Sequence, residues 1–441
     1  MRRDATRRRA FALGCALVGL WLVAAPPVAG QEYGESSRWR REQKPDPELA
    51  NRPQAGPKVL ERHANALEHL FEERHGEARQ ELDKLFFKRM NPVEQAMIHL
   101  DYAYIASAEG NREEGRQRFA QAIASGGLYE LAKDARYKIA MLWMQDEEWK
   151  QASDTLEQWF QEEPEPNANA YYILALNYYQ QEAYQKALTP ARKAVEMSGA
   201  PKESWFQLLL GIHLIEKDFE PAIPILEQLL ALYPSRNYLL SLSTVYGALG
   251  NYEEAAIPLQ LAYEQGLLTE DDHLRRLGQL LLFLNLPYRA AEVLDEGLDE
   301  ELIDADAEVL AMLSNSWIAA REYEAAVDPL ERAAAISDDG ELYVRLAQVH
   351  VQRENWDEAT GALRKALAKG SLIQTGDAHL LMGIAYYSQE KPLDARGWFE
   401  SASAFESVQE EAKVWLQHID QELAQQEAAE AGEALDEAAG G

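Results

Sequence analysis

The chain has 441 residues, and its 74 acidic and 43 basic side chains give a formal net charge of −31. A chain this acidic repels phosphate backbones and anionic lipid head groups, which argues against sequence-independent binding to nucleic acid or to a charged membrane surface. Hydrophobic residues make up 47% of the sequence, which is enough for a packed protein.

The first 30 residues have the pattern of a secretory signal peptide. Five arginines between positions 2 and 9 precede the apolar run 10–25, and small residues follow as far as Gly30. The run is shorter than the ~20 residues that a membrane-spanning helix needs, although an uncleaved anchor stays open as an alternative. The only cysteine, Cys15, lies inside this segment. We therefore predict a secreted chain that has no disulfide after cleavage.

Residues 31–57 are predicted to be a disordered linker. The segment is rich in proline and in charged residues, and its apolar residues follow neither a helical nor a strand period.

From residue 58 to residue 405 a small residue recurs every 33 to 37 positions, and a second slim residue usually lies twelve positions before it. A thin side chain on each of two helices lets them pack closely, so the spacing predicts a stack of helix pairs. The recurring small residues are Ala78, Gly115, Ala152, Ala187, Ala222, Ala255, Ala290, Ala326, Ala359 and Ala395.

The pattern resembles the tetratricopeptide repeat, most clearly at 239–263 and 343–367. This resemblance implies an all-α fold, a right-handed superhelical solenoid of about ten helix-turn-helix repeats over 58–405. Residues 406–424 place Trp415, Ile419 and Leu423 on one helical stripe, which predicts a C-terminal capping helix. We expect the acidic, alanine-rich segment 425–441 to be a disordered tail.

The sequence shows no pattern typical of a catalytic, cofactor or metal site. The nucleophile-elbow, zincin, phosphate-loop and paired-cysteine motifs are missing from it. His63, His69 and His75 recur every six residues, which does not align them on one helix face. His213 and His350 occupy large-residue positions of their repeats and are predicted to pack inside. We therefore predict a protein that is not an enzyme and that uses no cofactor.

A ligand-binding groove can be placed through the resemblance, which implies that the first helix of each repeat lines the concave face. The groove positions lie three before, one after and four after the slim residue. An apolar to aromatic lining of this kind suits an extended or helical peptide, and packing between neighbouring repeats is the alternative role of the same side chains. The candidate residues are Tyr137, Met141, Met144, Tyr172, Leu176, Tyr179, Gln207, Leu214, Thr244, Asn315, Gln348 and Tyr387.

Several segments depart from the repeat consensus and are similar to one subfamily, the periplasmic tetratricopeptide proteins of Gram-negative bacteria that are encoded beside TonB, ExbB and ExbD. These segments are 91–107, 201–234, 262–272, 287–298 and 333–350. The resemblance implies a periplasmic location and an accessory role in TonB-dependent transport, with proteins of the TonB, ExbB or ExbD type as possible partners.

Two hypotheses for the function follow. The first is a non-enzymatic periplasmic scaffold that binds a protein or peptide of a TonB system, whose proline- and lysine-rich segments an acidic solenoid would attract. The alternative is an envelope assembly scaffold for cell-wall or polysaccharide machinery.

Overall fold

A computed structural model describes residues 53–85, 89–338 and 340–439 of the chain. The predicted signal peptide and nearly all of the predicted linker lie outside these ranges. Within them, the regular structure is helical, and the chain divides into two compact units with the boundary between Pro234 and Ser235.

Unit 1 contains five helix pairs. A short 3₁₀ turn at Tyr129–Leu131 leads into the third pair. The helices are α1 (Pro57–Phe71), α2 (His75–Asp83), α3 (Pro92–Ala108), α4 (Arg112–Ala124), α5 (Ala132–Gln145), α6 (Trp149–Glu162), α7 (Ala168–Gln180), α8 (Tyr184–Glu196), α9 (Glu203–Glu216) and α10 (Ala222–Leu232).

Unit 2 contains five further pairs and a long terminal helix. No helix in the described part of either unit is long and apolar enough to cross a membrane. The helices of unit 2 are α11 (Arg236–Ala248), α12 (Tyr252–Glu264), α13 (Asp271–Phe283), α14 (Pro287–Asp299), α15 (Ala307–Ala319), α16 (Tyr323–Ile336), α17 (Glu341–Gln352), α18 (Trp356–Lys369), α19 (Thr375–Ser388), α20 (Pro392–Ala402) and α21 (Gln409–Ala439).

The recurring small residue lies where the two helices of a pair touch, as its spacing predicts. All nine alanines of the series have no exposed surface, and Gly115 is buried as well. At Gly115 a Cβ atom would lie 2.9 Å from the Ser107 Oγ atom and 3.1 Å from the Leu142 side chain, which is why glycine replaces alanine there. The all-α array of helix pairs is thereby confirmed.

Each of the ten pairs turns through one residue in the left-handed region. Gly110 and Gly250 occupy two of these turns, and the other eight hold a residue with a side chain, such as Glu147 with φ 58°. A left-handed residue directly after a helix lets the following amide groups bond back to the last carbonyls: the Glu148 amide donates to the Trp143 carbonyl at 3.0 Å.

The C-terminal helix α21 caps the last pair. Ile419 is fully buried, and Trp415 and Leu423 pack against the same apolar cluster, which includes Phe399. The sequence analysis expected a disordered tail from residue 425, but the structure describes helix as far as Ala439. Alanine and glutamate are strong helix formers, so this segment can continue a helix that packing has already started.

A half-buried histidine–aspartate contact joins the first helices of the first two repeats in unit 1. Asp101 on α3 is only 2% exposed, and one of its carboxylate oxygens lies 2.8 Å from the His63 Nδ1 atom on α1. The hydrogen bond to Asp101 raises the pKa of His63, while burial raises the pKa of Asp101. The two groups therefore hold a proton more readily in the folded state than in the unfolded chain.

We expect this pair to make unit 1 less stable as the pH rises. A histidine with a raised folded-state pKa contributes stability that is fully present below its unfolded pKa of about 6.5 and is lost as the pH climbs through the folded value. Urea unfolding of the chain and of its His63→Gln variant at pH values from 6 to 8.5 checks this. The difference between the two should shrink as the pH rises; a constant difference would contradict the assignment.

Candidate peptide-binding groove

In unit 1 the candidate groove residues form one stripe on consecutive first helices. Helix α5 carries Tyr137, Met141 and Met144, and helix α7 carries Tyr172, Leu176 and Tyr179, all partly exposed. Steps of three or four residues keep each set on a single helical face. The stripe therefore presents aromatic and apolar surface on both helices.

Two tyrosine rings of the stripe pack against other aromatic rings, one in the next repeat and one in the same repeat. Tyr172 stacks on Trp205 of helix α9 with the ring centroids 5.7 Å apart, and Tyr137 packs against Trp159 at 5.1 Å. Burial raises the pKa of both tyrosines, and their hydroxyl groups hydrogen-bond to Ser204 and Asn169 of the following repeat. The packing between neighbouring repeats that the sequence analysis kept as an alternative is thus found for the Tyr172 ring, whereas the Tyr137 ring packs within its own repeat.

Helix α9, the first helix of the next repeat, extends the stripe and makes this end of it more polar. Gln207 is exposed and donates a hydrogen bond to Glu203 at 3.2 Å, while Leu214 is half-buried. Gly211 lies beside Tyr179 of α7, whose hydroxyl oxygen would be 3.7 Å from a Cβ atom at that glycine. The small residue thus lets the Tyr179 side chain lie close against helix α9.

The candidate positions in unit 2 are more polar, and several already have partners. The Thr244 hydroxyl donates to the Leu240 carbonyl at 2.8 Å, and the Asn315 Oδ1 atom accepts from Arg345 at 2.6 Å. Tyr387 donates to Glu422 of α21 at 2.9 Å, so the terminal helix occupies the last groove position. Gln348 is exposed.

The sequence analysis missed a recurring arginine in unit 2. Arg276 and Arg345 each lie two residues before a slim residue and reach back to the groove position of the preceding repeat. The Arg276 guanidinium donates to the Thr244 hydroxyl at 3.3 Å, much as Arg345 donates to Asn315. The groove positions used in the sequence analysis did not include the position two residues before the slim residue. Including that position would have identified both arginines from the sequence.

A cavity in unit 2 is strongly acidic. It encloses about 590 Å³ between α12, α13, α14 and Trp317, and five carboxylates of α14 and the turn after it line it: Glu292, Asp295, Glu296, Asp299 and Glu300. Burial and the neighbouring Asp299 and Asp328 carboxylates raise the pKa of Asp295. This surface attracts cations and contributes to the negative field of unit 2.

The described residues show no group of three or more histidine, cysteine or acidic side chains placed to hold a metal ion. His213 and His350 are buried, as predicted, at 3% and 8% exposure.

The comparisons with known proteins point to the same repeat. The model of the Tetratricopeptide repeat family matches residues 344–407, which run from α17 to the turn after α20. No curated protein matches the chain. The match covers the last two helix pairs, and tetratricopeptide repeats typically bind protein or peptide partners.

Several solved structures are similar to part of this chain at low sequence identity. A crystal structure of MamA protein is 22% identical, with 40% of this chain and 94% of that chain covered and a TM-score of 0.33. A tetratricopeptide repeat protein from Parabacteroides merdae is 13% identical over 58% of this chain and 99% of its own, with a TM-score of 0.34. YrrB, described as a tetratricopeptide repeat protein with an unusual peptide-binding site, is 18% identical over 38% and 85%, with a TM-score of 0.33.

Proposed function

We propose that the chain is a periplasmic scaffold that binds a segment of a TonB-system protein along the groove of unit 1. The observation that carries the proposal is the half-exposed stripe of aromatic, methionine and leucine side chains on α5 and α7. Methionine and aromatic side chains bury much surface and adapt to irregular partners, which suits a groove for a peptide.

Two features of the sequence support the compartment and the partner. The N-terminal segment 1–30 has the pattern of a signal peptide, and the off-consensus segments resemble periplasmic proteins encoded beside TonB, ExbB and ExbD. The net charge of −31 adds a physical reason, because an acidic surface speeds the encounter with a lysine-rich segment and holds it in place.

Photo-crosslinking in living cells tests the groove and the partner together. Gln207 is the better site for a crosslinking amino acid, because it is exposed, whereas Tyr172 is stacked on Trp205. The matched control is Lys150 on the second helix α6, whose side chain is 76% exposed. We expect the Gln207 site to capture ExbB, ExbD or TonB, identified by mass spectrometry, and the Lys150 site to capture none of them.

Two outcomes would contradict the proposal. Capture of a cell-wall synthase at Gln207 would favour the alternative scaffold role, and equal capture at Lys150 would remove the groove assignment. A binding measurement with the purified partner adds a check on charge. Raising the salt from 50 to 500 mM should weaken the complex about tenfold, since exposed charges are screened beyond a Debye length.

A further inference from the structure

One arginine in unit 2 is half-buried without an acidic partner. The Arg276 guanidinium on α13 donates only to neutral groups of α11, to the Thr244 hydroxyl and to the Ser243 carbonyl, each at 3.3 Å. Burial lowers the pKa of Arg276. A guanidinium has five N–H donors, so most of those on Arg276 have no partner among the described residues. Removing a cation from water without an anion beside it costs free energy.

The other half-buried arginines of the described chain are all paired. Arg275, directly beside Arg276, bonds to Asp271 and to Asp306 at 2.9 Å. Arginines without a carboxylate partner elsewhere in this part of the chain are exposed to water. The paired, half-buried set is Arg62, Arg79, Arg112, Arg116, Arg118, Arg136, Arg236, Arg275, Arg353 and Arg396. In so acidic a chain, the missing carboxylate at Arg276 is an exception.

Arg276 borders a cavity of about 300 Å³, the Arg276 pocket, which no carboxylate lines. Its other lining residues are Gly247, Tyr252, Gln279, Leu280 and Phe283. The centroids of the Tyr252 and Phe283 rings lie 4.8 Å apart, and the two rings form an aromatic wall of the pocket. Tyr252 is 41% exposed and Phe283 is 66% exposed.

Gly247 makes room for the cation. A Cβ atom at this position would lie 2.8 Å from the Arg276 Nη2 atom, closer than van der Waals contact allows. The glycine therefore lets the guanidinium lie against helix α11, where the Thr244 and Ser243 oxygens fix its orientation. The pocket thus combines an oriented cation, an amide on Gln279 and apolar aromatic surface.

We propose that the Arg276 pocket binds an aspartate or glutamate side chain of a partner peptide, while an adjacent apolar side chain of that peptide packs on Tyr252 and Phe283. A carboxylate would accept two charge-assisted hydrogen bonds from the planar guanidinium and supply the missing counter-charge. An internal acidic side chain reaches a half-buried cation on its own flexible stem, whereas a terminal carboxylate would have to bring its backbone into the cavity. This inference goes beyond the proposed function, because it requires neither the unit 1 groove nor a TonB-type partner.

Fluorescence anisotropy with designed peptides tests the pocket. The probe is the labelled peptide Ser-Gly-Ser-Leu-Glu-Leu-Ser-Gly-Ser with an amidated C-terminus, and the reference is the same peptide with glutamine in place of glutamate. We expect the purified chain to bind the glutamate peptide at least about tenfold more tightly, as a charge-assisted hydrogen-bond pair implies. A third peptide, with glutamine inside and a free C-terminal carboxylate, should bind no better than the reference.

Three variants assign the preference to the pocket. Arg276→Gln should reduce binding of the glutamate peptide to the level of the glutamine peptide. Arg332→Gln, which removes a positive charge that is 51% exposed on α16, should leave the tenfold preference in place. Gly247→Ala should fold at least as well, because alanine favours helix over glycine, yet weaken the preference by displacing the guanidinium.

The inference is overturned if the glutamate and glutamine peptides bind equally, or if neither binds at millimolar concentration. It is also overturned if Arg276→Gln keeps the preference. Tighter binding of the peptide with the free terminus would show that the pocket recognises chain ends instead of internal acidic side chains. None of these results bears on crosslinking at Gln207, so the pocket and the groove of unit 1 can fail separately.

Discussion

Replacing Phe399 with alanine is expected to lower the free energy of unfolding of unit 2 by about 3–5 kcal/mol. Phe399 on α20 is fully buried, and its ring fills the space that Gly383 of α19 leaves open, where a Cβ atom would lie 2.6 Å from the ring. On the other side the ring stacks on Trp415 of α21, with the centroids 5.3 Å apart and the planes 3° from parallel. One side chain thus joins the last helix pair to the cap, and its loss leaves a cavity between three helices.

Urea unfolding followed by circular dichroism, with hydrogen exchange to locate the change, measures the effect. The matched control is Leu393→Ala on the same helix, because Leu393 is 72% exposed and its truncation should change the stability by no more than about 0.5 kcal/mol. Each repeat contacts mainly its neighbours, so faster exchange should be concentrated in α19, α20 and α21. An equal loss of stability from both variants would show that Phe399 does not hold the cap.

The second large effect is expected at Gly127, where alanine should destabilise unit 1 by about 3 kcal/mol. Gly127 precedes the 3₁₀ turn between α4 and α5 and presses on the start of α3. A Cβ atom there would lie 2.1 Å from the Pro92 carbonyl oxygen and 2.6 Å from the Val93 amide nitrogen. These are backbone atoms at a helix N-terminus, so the clash cannot be relieved by rotating a side chain.

Gly76→Ala is the control for this variant. Gly76 lies in the first turn of α2, where a Cβ atom would meet nothing within 4 Å. Alanine should therefore leave stability unchanged or raise it by up to about 1 kcal/mol through helix propensity. The same urea titration compares both variants, and a Gly127→Ala chain as stable as Gly76→Ala would mean that the turn and α3 can separate at little cost.

The fold could be predicted from the sequence because its determinants are local and repeated. A buried alanine such as Ala326 recurs at a fixed interval, and each repeat packs on its neighbours by the same rule. The helix that continues to Ala439 was missed for a related reason. The charged and small residues of segment 425–441 led to the prediction of a disordered tail. Alanine and glutamate also favour helix, and the packed segment before them starts the helix.

The candidate groove was harder to predict, because register alone does not say what a side chain touches. Tyr172 lies at a groove position and also stacks on Trp205, whereas Gln207 in the next repeat is open to solvent. The register could have included Arg276, but its missing counter-charge could not be predicted: Arg275 is the same residue type one position away and has two acidic partners. One partner, Asp271, lies on the same helix and the other, Asp306, lies in the next repeat, so the spacing within one repeat does not predict this difference.

The cap on unit 2 has a consequence for self-association. In a repeat array each helix pair packs on the face of the pair before it. If the face of the last helix pair were uncovered, a second copy of the chain could pack on it in the same way. Contacts of that head-to-tail kind form rings when the rotation between copies closes and filaments when it does not. Helix α21 already fills this face with Trp415 and Ile419 and bonds Tyr387 through Glu422. Helix α21 therefore covers this face of the last helix pair and denies it to further copies.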